Sequence, residues 1–163
     1  MPAERIHELQ DLASEVGQIL SAYVAVHDRI FNEAASLKSV FKNLLGRGVP
    51  MSELQADAEA LVPRVERVKT RVALFNAGAA LELPPAARAY SELLSSYVEA
   101  LARTVDALVA RQRILSEGSR GGRGNPMTWD GFKAAEQDYD RAVKNYQMIG
   151  AQLNDSSSAI FPH

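Results

Sequence analysis

Three polar residues fall where helical spacing turns them toward an apolar interior: His27, Gln112 and Glu136. His27 has Tyr23, Val24, Ile30 and Phe31 around it at helical spacing, Gln112 follows Leu101, Val105 and Leu108, and Glu136 lies between Phe132 and Tyr139. An imidazole and a carboxylate that meet inside a helical bundle can transfer a proton or hold a polar ligand. The same groups can instead act as polar contacts that fix the register of the packed helices. In both cases each group needs a partner, because a buried polar group left unpaired costs about 1–3 kcal/mol.

Other chemistries fail on residue type or spacing. The chain has no cysteine, which removes thiol nucleophiles, disulfides and zinc fingers. Its three histidines, at positions 7, 27 and 163, support no Ser-His-Asp arrangement. A paired-metal carboxylate site in a bundle draws on two Glu-x-x-His motifs and two further inward glutamates. Only Glu4-Arg5-Ile6-His7 matches, and His7 points away from the apolar stripe of its helix. The glycine-rich stretch 118–124 has no Gly-Lys-Ser/Thr and no preceding strand, so it is not a phosphate cradle. The expectation is a non-enzymatic chain with no cofactor and no metal.

Charge narrows the partners. Eighteen basic against twenty acidic residues give a net charge of −2, without the basic excess of a nucleic-acid surface. Arg64, Arg67 and Arg71 nevertheless line one flank of a helix. Such a stripe faces solvent, a phosphorylated or acidic partner, or an anionic membrane surface. Arg120-Gly121-Gly122-Arg123-Gly124 is a single arginine–glycine unit, which a flexible connector explains equally well.

The elements that position these residues are helical. Ile6, Leu9, Ala13, Val16, Leu20, Tyr23, His27, Ile30, Ala34, Leu37, Phe41 and Leu44 recur in steps of three and four, the mark of one long helix with a single buried stripe. Gly46–Pro50 breaks it, Ser52-Glu53-Leu54-Gln55 is a capping box, and Leu83-Pro84-Pro85 separates the next pair. The reading is all-α: an elongated antiparallel four-helix bundle, up-down-up-down, with coiled-coil-like packing. Its helices cover 2–45, 52–81, 85–117 and 127–153 in one domain, 1–154, followed by a tail, 155–163. Pro63 falls opposite the seam of the second helix, which predicts a bend there and not a break. Gly150 marks a close approach of backbones or a void.

The first helix, about 65 Å long against about 40–50 Å for the others, overhangs its neighbours. Its apolar stripe then needs cover from a second copy, from another protein, or from the Ile160-Phe161-Pro162 end of the chain. The leading expectation is a protein–protein interaction or scaffold module that forms a homodimer. A small-molecule-binding or sensing bundle around His27 is the second, and an anionic membrane-surface binder the third.

Trp129-Asp130-Gly131, set between two helices, is similar to the signature of the small helical-hairpin proteins exported by type VII secretion systems. The resemblance covers Pro85 to Leu153 and implies a secreted helical-hairpin-type protein. The motif lies late in the chain, and the Tyr-x-x-x-Asp/Glu signal that follows such hairpins is missing. Without that resemblance, Trp129 reads as a core aromatic anchoring the start of the last helix. The opening residues lack the apolar core of a signal peptide. The longest charge-free stretch, Val16–Val26, is shorter than the ~20 residues of a membrane span. The expected compartment is the cytoplasm.

Overall fold

A computed structural model of the protein describes residues 2–40, 51–79, 82–119 and 129–161, with residues 2, 33–40, 79, 118 and 119 described by backbone alone. Every element among them is helical: α1 (Pro2–Val40), α2 (Met51–Glu59), α3 (Val62–Ala79), α4 (Pro85–Ser119) and α5 (Trp129–Ser157). The side chains of Ala34, Leu37, Phe41 and Leu44, the break at 46–50 and residues 120–124 of the glycine-rich stretch lie outside that description, while 118 and 119 belong to α4.

Helix α4 is the hub of a helical bundle, packing against α1, α2, α3 and α5. Its sequence explains this position. Neighbouring residues are buried in pairs along it (Tyr97 with Val98, Leu101 with Ala102, Thr104 with Val105, Leu108 with Val109), so more than one face is inside. Alanines at 87, 100 and 102 let the surrounding helices approach. The other helices each bury a narrower stripe: Leu9, Leu12, Val16, Ile19, Tyr23 and Ile30 on α1, and Tyr139, Tyr146 and Leu153 on α5.

Cross-helix pairs come in the opposed order that antiparallel neighbours give. Arg5 meets Glu82, Glu15 meets Arg71, and Arg29 meets Asp57 and Glu53. Asn76 reaches Ser91 while Glu59 pairs with Arg113, and Arg111 pairs with Glu136 while Tyr97 stacks edgewise on Tyr146.

Helix α4 runs to Ser119, past the expected end at 117, and two larger differences from the sequence reading fall in the second and last helices. The second helix does not bend at Pro63; it is interrupted just before it, at Ala60–Leu61. Proline has no N–H to give and its ring collides with the carbonyl four residues back. The chain therefore closes α2 with a tight Leu61 N–H to Ala58 carbonyl bond of 3.2 Å, and reopens with Arg64 and Val65 both donating to the Leu61 carbonyl. Pro63 itself is exposed, on the face its spacing predicts.

The last helix runs past Asn154 to Ser157. The hydroxyls of Ser156, Ser157 and Ser158 donate to the carbonyls three residues earlier, satisfying groups that a helix end leaves unpaired. Ile160 and Phe161 then fold back on the core, with the Phe161 ring 5.3 Å edge-on from Tyr90. That end of the chain covers its own bundle.

Candidate functional site

The interior polar cluster draws on three helices. On α1, Tyr23, His27 and Phe31 follow one another at single-turn spacing and present one ladder of rings. From α5, Tyr139 inserts among them, its ring 6.0 Å from His27 and 5.8 Å from Phe31. Its hydroxyl lies 2.6 Å from the Tyr23 hydroxyl and 2.6 Å from His27 Nδ1. One arrangement uses each proton once: Tyr23 donates to Tyr139, Tyr139 donates to Nδ1, and the imidazole is neutral with its proton on Nε2.

The electrostatics favour that neutral chain. Burial pushes the His27 imidazole below its ordinary value; Asp28 pulls the other way and the Arg111 guanidinium adds to the push. Burial raises the Tyr139 phenol to about 12, and burial together with its bond to Tyr139 holds Tyr23 well above the ordinary range. All three shifts favour the uncharged forms, in keeping with a chain of neutral hydrogen bonds.

Arg111 of α4 completes the cluster. It is 6% exposed, its guanidinium 4.8 Å from the Phe31 ring centre and 5.6 Å from that of Phe132. It forms an ion pair with Glu136, and Nη1 donates to Gln112 Oε1 at 2.7 Å. The expected trio is thus gathered in one region, but through a residue the spacing did not single out. His27 bonds to tyrosine, Glu136 and Gln112 bond to arginine, and no hydrogen bond joins His27 to Glu136. Gln112, 1% exposed, keeps one buried atom, Nε2, without a partner.

No family model, curated protein or solved structure matches this chain. Its functional reading therefore rests on its own geometry. Among the described residues no group of three or more His, Cys, Asp and Glu side chains could hold a metal ion. His7 stands exposed, 3.8 Å from Asp11. Again among the described residues, no helix is long and apolar enough to cross a membrane.

The arginine flank divides in two. Arg71 pairs with Glu15 across to α1, whereas Arg64 and Arg67 are exposed and make no ion pair among the described residues. Trp129, expected in the core, is 72% exposed at the first residue of α5, touching Phe132 at 6.1 Å between ring centres.

Away from the cluster, α1 and α5 part around a groove of about 140 Å³ whose lining mixes aliphatic side chains with Tyr90, Tyr97 and Asn154. Ala13, Val16, Gly17 and Leu20 form one wall, Gly150, Leu153 and Asn154 the other, and Tyr90, Leu94 and Tyr97 lie between. Gly150 is required by close approach: a Cβ there would lie 2.9 Å from Tyr97 Cε2. Gly17 has open space beside it instead.

Proposed function

We propose that this chain is a non-enzymatic helical interaction module of the cytoplasm that pairs with a second copy of itself through the α1/α5 groove. The observation that carries the reading is the groove's own α1 wall. Within it Ala13 and Leu20 are only partly buried and Gly17 is open, and along the same helix flank Ile6 is partly buried and Val24 exposed. Such a flank is complementary to itself. A twofold axis near Gly17 lays it antiparallel on its copy, the self-matching contact that closes a homodimer. Ala13 and Gly17 allow the two backbones to come close, and α1, 39 residues long, offers about 58 Å of contact. The interior supports the non-enzymatic part of the reading, because its charged and titratable groups are committed to one another.

The absence of cysteine makes a clean test. Gly17→Cys should give a disulfide-linked dimer under mild oxidation, whereas Met148→Cys, exposed on the outer side of α5, should not. Equal linkage at both sites, or none at Gly17→Cys, would count against the pairing.

One atom favours a second reading, a small-molecule-binding bundle centred on His27. The unpartnered Nε2 of Gln112 beside Arg111 is free to donate a hydrogen bond to a ligand acceptor. Under that reading His27→Leu abolishes ligand binding, whereas under the first it leaves dimerisation intact.

A further inference from the structure

The opposite side of α1 carries a different surface. There α1 and α3 part around a groove of about 260 Å³, floored by Leu12, Phe75 and Gly78 and flanked by Arg5, Glu8 and Arg71. Arg5 is neutralised by Glu8 and Glu82, so the groove itself carries no basic excess and the unpaired positive charge lies along α3 beyond it. Leu74 stands on its rim, 67% exposed. Helix α3 carries Arg64, Arg67, Lys69 and Arg71 against the single acid Glu66, in a chain whose acids otherwise prevail. Lys69 is held by Glu66 and Arg71 by Glu15, which leaves Arg64 and Arg67 as unneutralised charge on the flank that leads to Leu74.

We infer that the α1/α3 groove and this flank of α3 form a docking surface for an acidic amphipathic helix of a protein partner. The spacing states what the partner must carry. Arg67 and Arg64 lie seven and ten residues before Leu74, about 10 and 15 Å along the helix axis. A helix with apolar side chains over Leu74, Phe75 and Gly78 therefore needs carboxylates two to three turns away on the same face. Gly78 has nothing within 4 Å of where a Cβ would stand, so an incoming side chain has room there.

Charge complementarity sets the class of partner and steers its approach. The concave floor favours a protein segment over a bilayer, since an interfacial binder projects a continuous apolar face and this flank projects only Leu74. The surface is distinct from the α1/α5 groove, so it stands or falls apart from self-association.

The test uses the full chain and a designed helical peptide of roughly 18 residues, leucine along one face and glutamate elsewhere. A scrambled peptide of the same composition and vesicles of phosphatidylcholine with phosphatidylglycerol serve as comparisons. Amide NMR shifts should move at Leu12, Leu74, Phe75 and Gly78 with the ordered peptide and not with the scrambled one. Affinity should fall roughly tenfold with Arg64→Glu plus Arg67→Glu, and again as salt rises from about 50 to about 300 mM. Both arginines are exposed, so circular dichroism should be unchanged; Leu74→Asp, also at an exposed site, provides an independent loss of binding. Equal binding of the scrambled peptide, shifts elsewhere on the bundle, or insensitivity to the arginine reversal overturns the inference. So does vesicle binding through the same arginines without peptide binding.

Discussion

Arg111 organises the interior because it is a charge that water cannot reach. Flanked by Phe31 and Phe132, it depends on Glu136 for its counter-charge and on Gln112 for a further acceptor. Removing one member of such a pair leaves the other buried and uncompensated. Glu136→Leu should therefore cost about 3 kcal/mol in urea unfolding, and adding Arg111→Met should recover most of the loss. Additive losses in the double variant would contradict this account. His27 gives a second prediction, and its sign follows from the direction of its shift. Its folded value lies below the ordinary 6.5, with Asp28, Arg111, Tyr23 and Tyr139 as the titratable and charged groups around it. As pH falls below about 6.5 the unfolded chain takes up the proton first, so this contribution is complete above that pH and is lost on acidification through the folded value. Thermal midpoints measured from pH 7.5 to pH 5 should fall more steeply for the native chain than for His27→Gln. Parallel curves would mean that the imidazole titrates as freely in the folded state as in the unfolded one.

Among the elements, the α2–α3 interruption separates what pattern can say from what it cannot. The seam Leu54, Ala58, Leu61, Val65, Val68, Val72 and Phe75 is buried as its spacing predicts, and it continues across the interruption. Periodicity therefore located the buried face correctly, while the backbone conformation beside Pro63 depended on a local steric clash. Because Pro63 now occupies the first turn of α3, its missing N–H is one that a helix start leaves unpaired anyway. Pro63→Ala should change stability by less than about 1 kcal/mol, where release of a mid-helix proline would raise it by about 3 kcal/mol. A gain near the larger figure would show that the proline strains a continuous helix. The candidate site was legible to the same degree. His27, Gln112 and Glu136 stood out as polar intruders on apolar stripes. Arg111 did not, because a single stripe on α4 admits position 112 and leaves 111 at its edge. Only a helix buried over more than one face takes in both, and that burial comes from neighbours distant in sequence. Trp129 is exposed although its type suggested the core, since periodicity gives a direction around the helix but not how far neighbouring helices cover its end.

At the scale of the whole molecule, the bundle is tied together by α4, and α1 lies between two open grooves. One has a mixed lining, aliphatic on its α1 wall and bordered by Tyr90, Tyr97 and Asn154; the other is bordered by the basic flank of α3. The length mismatch read from the sequence pointed to an unfilled apolar stripe on α1. Over the described side chains that stripe is instead mostly covered within the chain, with Leu9, Val16, Tyr23 and Ile30 buried and Ile6, Ala13 and Leu20 partly so, while Phe161 packs on Tyr90. Self-association at the α1/α5 groove is the central claim, and the most direct test is the solution mass by size-exclusion chromatography with light scattering over a wide range of concentrations. The account predicts twice the 17.8 kDa of one chain, falling to the single-chain mass on dilution and in Gly17→Arg at every concentration. A constant 17.8 kDa for the native chain up to the highest concentration would contradict it.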